Sequence, residues 1–203
     1  MATPKGYEWL NNTAGLPRTI VEGLKLFGTR EIVGRGSNRT IMEWRDELNA
    51  AAGVNPLAKK IVGYGDDDIA WCGLFAAIVA FRAGKEVVEN PLWARNWANF
   101  GQMIAYNVGT TAIPKLQFEA GKVASLGDCL VFVRNGGGHV GWYIGEDGTA
   151  YHVLGGNQSN AVTITRVEKA RCIAIRRPEY NSAPASVKAY KLAARGGLSR
   201  NEA

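Results

Sequence analysis

The chain has 203 residues, 46% of them hydrophobic, with 24 Lys and Arg against 18 Asp and Glu for a net charge of +6. This balance excludes wholesale disorder and fits one domain with short appendages. The basic surplus suits an anionic partner such as nucleic acid, a membrane face or a wall polymer, without choosing among them. Two histidines, His139 and His152, and three widely spaced cysteines, Cys72, Cys129 and Cys172, include no C-x-x-C pair. That pattern argues against structural zinc and against a disulfide scaffold, so neither metal nor cofactor is expected. Met1–Leu10 lacks the apolar stretch of a secretory signal, and the longest apolar run, Leu74–Phe81, is far too short to span a membrane. The expected product is soluble and made in a reducing compartment.

In chain order, residues 1–15 read as an N-terminal extension. Thr19–Phe27 places Ile20, Leu24 and Phe27 on one helical face, and Gly28 stops it. Asn38 or Thr40 then caps a helix carrying Ile41, Trp44, Leu48 and Ala51, which ends at Gly53-Val-Asn-Pro56. A third helix is predicted over Cys72–Ala83 with Gly84 as its cap, and a weaker fourth over Leu92–Phe100. The period then changes. Asp128–Arg134, Val140–Ile144, Thr149–Leu154, Ala161–Val167 and Arg171–Arg176 are short β-rich runs separated by glycine-containing turns. Helices followed by a strand meander describe an α+β domain over residues 16–180, with N-terminal helices packed on an antiparallel sheet of about five or six strands. Residues 181–203, rich in Ser, Ala, Lys and Gly, read as a basic solvated tail or a cationic arm for anionic wall polymer or outer-membrane lipid.

Cys72 falls at the first turn of the third predicted helix. Unpaired N–H groups there stabilise a thiolate and can also hold an oxyanion. Cys129 and Cys172 lie inside predicted strands, where a thiol is usually a small buried hydrophobe. His139 opens a strand straight after Gly136-Gly-Gly138, a placement that suits a general base, although a lone histidine is commonly structural. A two-residue Glu146-Asp147 loop would set Gly141 opposite His152 and put His152 on the face of His139, as the orienting third residue. Shifting the loop by one residue brings Asn157 there instead. The residues alone leave both open.

Trp71-Cys72-Gly-Leu-Phe75, Gly127-Asp-Cys-Leu-Val-Phe132 and Gly138-His-Val-Gly-Trp-Tyr-Ile-Gly145 resemble the NlpC-type and CHAP cysteine peptidase superfamily. Tyr151–Gln158, Glu31-Ile-Val-Gly34, Ser37-Asn38 and Asn90–Trp97 resemble its phage- and prophage-associated branch. The likeness covers Leu16–Pro178. It implies a papain-like fold, hydrolysis of amide bonds in peptidoglycan, Cys72 as nucleophile, His139 as base and a polar third residue. NlpC-type members map that residue to His152; CHAP members map it to the neighbourhood of Asn157. Trp-Cys-Gly stands where many NlpC-type enzymes have Asp-Cys-Ser. Glu31 is a supporting acid by the resemblance alone.

Asp66-Asp-Asp68 is expected to cap the third helix, with Asp68 as a further candidate for binding a substrate ammonium. Trp71, Trp93, Arg95, Asn96 and Trp97 are candidate cleft residues for gripping sugar or carboxylate groups, although core packing is the ordinary use of tryptophan. The resulting expectation is a phage lysis enzyme acting as a monomer on bacterial peptidoglycan, with no nucleic-acid partner. It would wait in the host cytoplasm and act on the wall after release. An endopeptidase is preferred because His152 fits the NlpC-type triad. An N-acetylmuramoyl-L-alanine amidase of the same fold, a non-catalytic wall-binding or virion module, and a deamidase on another substrate are the alternatives.

Overall fold

The computed structural model describes residues 4–134, 136–194 and 196–199. Helix α1 (Arg18–Lys25) buries Ile20 and Leu24, and Gly28 follows at φ +88°. Gly23 lets α1 approach the sheet, because a Cβ there would lie 2.8 Å from Leu154 Cδ2. Helix α2 (Arg39–Ala51) starts where its cap predicts: the Asn38 side chain accepts from the Thr40 N–H at 2.8 Å, and Ile41, Trp44 and Leu48 face inward. Helix α3 (Cys72–Arg82) is buried continuously from Cys72 to Ala80. Gly84 ends it at φ +72°, with the Gly84 and Lys85 N–H groups donating to Phe81 O and Ala80 O. The fourth predicted helix is only a 3-10 segment over Ala94–Asn99. Trp97 Nε1 donates back to Pro91 O, and Asn96 Nδ2 donates to Glu89 O and Asn90 O, so this segment folds on its own preceding loop.

The strands are β1 (Gln102–Asn107), β2 (Leu116–Phe118), β3 (Cys129–Arg134), β4 (Gly137–Glu146), β5 (Ala150–Gly155), β6 (Thr163–Glu168) and β7 (Cys172–Arg177). They form one antiparallel sheet in the order β2-β1-β7-β3-β4-β5-β6. Strands β3 to β7 are the five expected; β1 and β2 raise the total to seven among the described residues. Val131, Val140, Trp142, Ile144 and Leu154 face the helices, whereas Leu130, Phe132, Tyr143, Tyr151 and Val153 form a second cluster on the other face. Among the described residues no helix is long and apolar enough to cross a membrane.

The expected β4–β5 register is wrong. Gly145, not Gly141, stands opposite His152, and the pairing slips at a bulge between Tyr143 and Gly145. The Asp147 carboxylate causes the difference at the turn. Its Oδ1 accepts from the Thr149 and Ala150 N–H groups, while the Asp147 N–H donates to Ala150 O, which makes a four-residue turn over 147–150.

The expected solvated tail is also corrected. Residues 186–194 and 196–199 lie along the sheet, with the Leu126 N–H donating to Lys188 O, Glu146 N–H to Tyr190 O, Leu192 N–H to Glu146 O and Ser199 N–H to Arg166 O. Lys191 pairs with Glu146 at 2.7 Å, and Trp9 stacks on Tyr190 at 4.6 Å, so the N-terminal segment joins the same strap. Arg195 and Arg200, part of the tail's expected charge, lie outside the described residues.

Asp147 ties these pieces together. Its carboxylate accepts from Arg166 Nε at 2.7 Å and from His152 Nε2 at 3.0 Å, and Arg166 Nη1 also reaches Gly196 O. The Tyr7 hydroxyl donates to His152 Nδ1 at 2.6 Å. Arg166 first, and the turn amides and His152 after it, hold the Asp147 carboxyl well below the usual range. Burial pushes His152 below its ordinary 6.5, despite the opposing pull of Asp147. The folded state therefore prefers neutral His152. The stability that follows is complete above the unfolded value of about 6.5 and is lost as pH falls through the depressed folded value. Between about pH 7 and pH 5 the urea midpoint of the wild type is expected to fall relative to that of His152→Gln, against the opposite contribution of Asp128, whose carboxyl burial raises to about 6. Tyr7→Phe should cost about 1 kcal/mol at neutral pH. An equal pH drop in wild type and His152→Gln would assign the titration to another group.

Candidate active site

Cys72 is the first residue of α3, with Trp71 at the cap position and no side chain capping it. The Asp66–Asp68 run does not cap this helix, contrary to expectation. Asp67 turns away, its Oδ2 accepting from the Ile32 N–H at 3.0 Å and the Asn38 N–H at 2.7 Å. Asp66 Oδ1 accepts from the Asp68 N–H, and Asp68 is exposed. Gly73 allows the Pro91–Leu92 backbone to lie across the helix start, since a Cβ at Gly73 would sit 2.2 Å from Pro91 O.

Burial raises the Cys72 thiol above its ordinary 9.0. The backbone amide of Val140, the positive charge of Arg134 and the amides of Gly73 and Cys72 favour the thiolate, but they do not overcome desolvation. The helix start alone therefore does not activate this sulfur. At rest Cys72 is a neutral thiol, and it needs a base. Cys129 and Cys172 are also buried, with Cys129 pushed well above the usual range and Cys172 to about 12.

The backbone amide of Val140, the residue after His139, is the β4 group that favours the Cys72 thiolate. His139 is fully buried, pairs with Phe132 across the β3–β4 ladder and stacks on its ring with centroids 6.2 Å apart. Its Nε2 lies 3.1 Å from Gln158 Oε1. The Gln158 amide has one sensible orientation, because its Nε2 donates to Val153 O, Gly155 O and Thr163 O at 3.2, 3.3 and 2.7 Å. Gln158 Oε1 must then accept, so His139 carries its proton on Nε2 and Nδ1 is the basic nitrogen. Gly155 makes room for this bond: a Cβ there would lie 2.8 Å from Gln158 Oε1 and 3.1 Å from His139 Nε2. Gly156 lies equally close to α3, its absent Cβ falling 2.5 Å from Phe75 Cβ and 2.8 Å from Trp71 Cζ3. A histidine held in this way can accept a proton on Nδ1 and have the resulting imidazolium stabilised through the Gln158 oxygen.

Neither expected third residue orients His139. The register shift turns His152 to Asp147 and Tyr7, a different network. Asn157 is buried at φ +56° in the turn before Gln158, and Gln158 is the side chain that reaches the ring. Strand periodicity could not find Gln158, because the chain leaves the ladder after Gly155 and Asn157, Ser159 and Asn160 adopt left-handed backbone. Its signal is chemical: it is the other amide side chain next to Gly155-Gly156, long enough to reach back.

Trp71, expected in the cleft, is fully buried, and its Nε1 donates to Glu31 Oε2 at 2.8 Å. The acid carried over from the resemblance therefore holds this indole. Asn96 uses its amide N–H groups on loop carbonyls, as described, and Trp97 is in the core. Trp93 remains 73% exposed. Among the described residues no group of three or more His, Cys, Asp and Glu is placed to hold a metal ion.

A role for Gln158 in the site predicts a difference in thiol reactivity. Iodoacetamide labelling of Cys72 near neutral pH, followed by peptide mass mapping, is expected to slow at least about tenfold in Gln158→Ala. Asn157→Gly, which suits the left-handed backbone, should label at the wild-type rate. Equal rates for Gln158→Ala and wild type would remove Gln158 from the site. No protein-family model, curated protein or solved structure matches this chain.

Proposed function

We propose that the chain is a thiol hydrolase that cuts an amide bond of the peptidoglycan stem peptide, in the manner of a phage lysis enzyme of the NlpC-type and CHAP superfamily. The observation that carries this reading is the bond between His139 Nε2 and Gln158 Oε1, which orients a base on the residue next to Val140, whose amide favours the Cys72 thiolate. The residues of the family resemblance supply the substrate class.

In this mechanism the Cys72 thiol passes its proton to His139 Nδ1, and the thiolate attacks the carbonyl carbon of the scissile amide. N–H groups at the start of α3 hold the oxyanion. The tetrahedral intermediate collapses, the C–N bond breaks and His139 returns the proton to the departing amine. Water, deprotonated by the same imidazole, then hydrolyses the thioester and restores the thiol. The preference for an endopeptidase rested on His152, which faces Asp147 instead, so the amidase and endopeptidase products are separated by experiment. Action on the wall after release from the host cytoplasm, by a monomer without cofactor or nucleic-acid partner, belongs to the same reading.

Purified protein is expected to release soluble fragments from peptidoglycan sacculi, and Cys72→Ala should lower that rate about a thousandfold or more while still sedimenting with sacculi. Mass spectrometry of the digest should show either new amino termini within the stem or free lactyl groups on muramic acid. Undiminished lysis by Cys72→Ala would refute the thiol mechanism. Binding to sacculi with no digestion by wild type would favour the wall-binding module.

A further inference from the structure

Two guanidinium groups converge on the turn that leads into His139. Arg95 Nη2 donates to Gly137 O at 2.8 Å and Arg134 Nε to Gly138 O at 3.3 Å. Gly138 permits the approach, because a Cβ there would lie 3.1 Å from Arg95 Cγ. Both arginines are held by peptide oxygens, and among the described residues neither is neutralised by a carboxylate. Three acids that precede α3 have partners of their own. Glu31 accepts from Trp71, Asp67 from the Ile32 and Asn38 amides, and Asp66 from the Asp68 amide. Arg134 is close enough to Cys72 for its charge to favour the thiolate. Arg95 lies on the 3-10 segment opened by Trp93, whose indole is largely exposed.

Each guanidinium carries five N–H donors in a planar fork, and a single anchoring bond leaves most of them free to meet a carboxylate. An uncompensated positive edge beside a nucleophile also disfavours cationic groups at that position. We propose that Arg95 and Arg134 form a recognition site for a free carboxylate on the substrate residue next to the scissile amide, with the Trp93 indole against that residue's apolar part. This proposal rests on the thiol-hydrolase reading and adds the charge of the preferred substrate.

The test uses matched stem-peptide fragments, one with a free carboxylate beside the scissile bond and one with that carboxylate amidated. Wild type is expected to favour the free acid about tenfold in kcat/KM. Arg95→Gln should reduce that ratio to about twofold or less, and Arg134→Lys, which keeps charge but loses the fork, should reduce it in part. Equal kcat/KM for the two fragments in wild type, or an undiminished ratio in Arg95→Gln, overturns the proposal and leaves the hydrolase reading standing. Calorimetry of both fragments with Cys72→Ala separates the two ideas. Tighter binding of the free acid without any cleavage by wild type would keep the carboxylate site and remove the hydrolase reading. Equal binding or none, with no cleavage, would overturn both.

Discussion

The contact between the first turn of α3 and β4 governs the rest of the site. From Cys72 to Ala80 the helix is apolar and fully enclosed, and its burial against Val140 and Trp142 on the sheet is a main source of hydrophobic stabilisation for the domain. The same burial raises the Cys72 thiol, since a charge in that position would lose its hydration. A helix start is favourable for a thiolate, but the effect of the macrodipole is of the order of 1 kcal/mol and desolvation exceeds it here. In the proposed reaction Cys72 therefore depends on a base placed by the sheet, not on the helix alone.

The two histidines show how one hydrogen-bond partner assigns a role. Both are buried in the sheet region, and both have Nε2 near an acceptor oxygen. His139 faces a neutral amide, which orients the ring without drawing it into a permanent ion pair. His152 faces a carboxylate already engaged by Arg166, and its Nδ1 is taken by the Tyr7 hydroxyl. In the proposed reaction one ring exchanges a proton; the other fastens the N-terminal segment to β5 and, through Arg166 and Gly196, to the C-terminal strap.

What could be read from the sequence follows the range of the interactions involved. Asn38 and the apolar spacing of Ile41, Trp44 and Leu48 are local, and α2 begins where they indicate. The place of Cys72 at the start of α3 was legible because a helix start is also a local feature, whereas β4 begins at Gly137, before His139. The β4–β5 register was not, because the bulge at Tyr143–Gly145 and the carboxylate-centred turn at Asp147 are set by contacts that period-2 alternation does not encode. β1 lacked a signal for a similar reason: its exposure does not alternate, and it is held by pairing with the distant β7. The tail looked like solvent-exposed chain by composition, yet backbone hydrogen bonds to Leu126, Glu146 and Arg166, which any sequence can make, fix it on the sheet.

Gln158 links folding to chemistry most directly. Its side-chain N–H groups satisfy carbonyls at the end of β5 and the start of β6, with the shortest bond, 2.7 Å, to Thr163 O. Those bonds close the turn after Gly155 and also set the direction in which Oε1 points. A substitution that frees the amide leaves buried carbonyls without a donor and allows the His139 ring to change tautomer. In the proposed reaction the proton acceptor would then be the wrong nitrogen, even with Cys72 and His139 both present. The strand-to-strand closure that stabilises β5 and β6 and the orientation of the base are the same set of hydrogen bonds, so neither can be altered independently of the other.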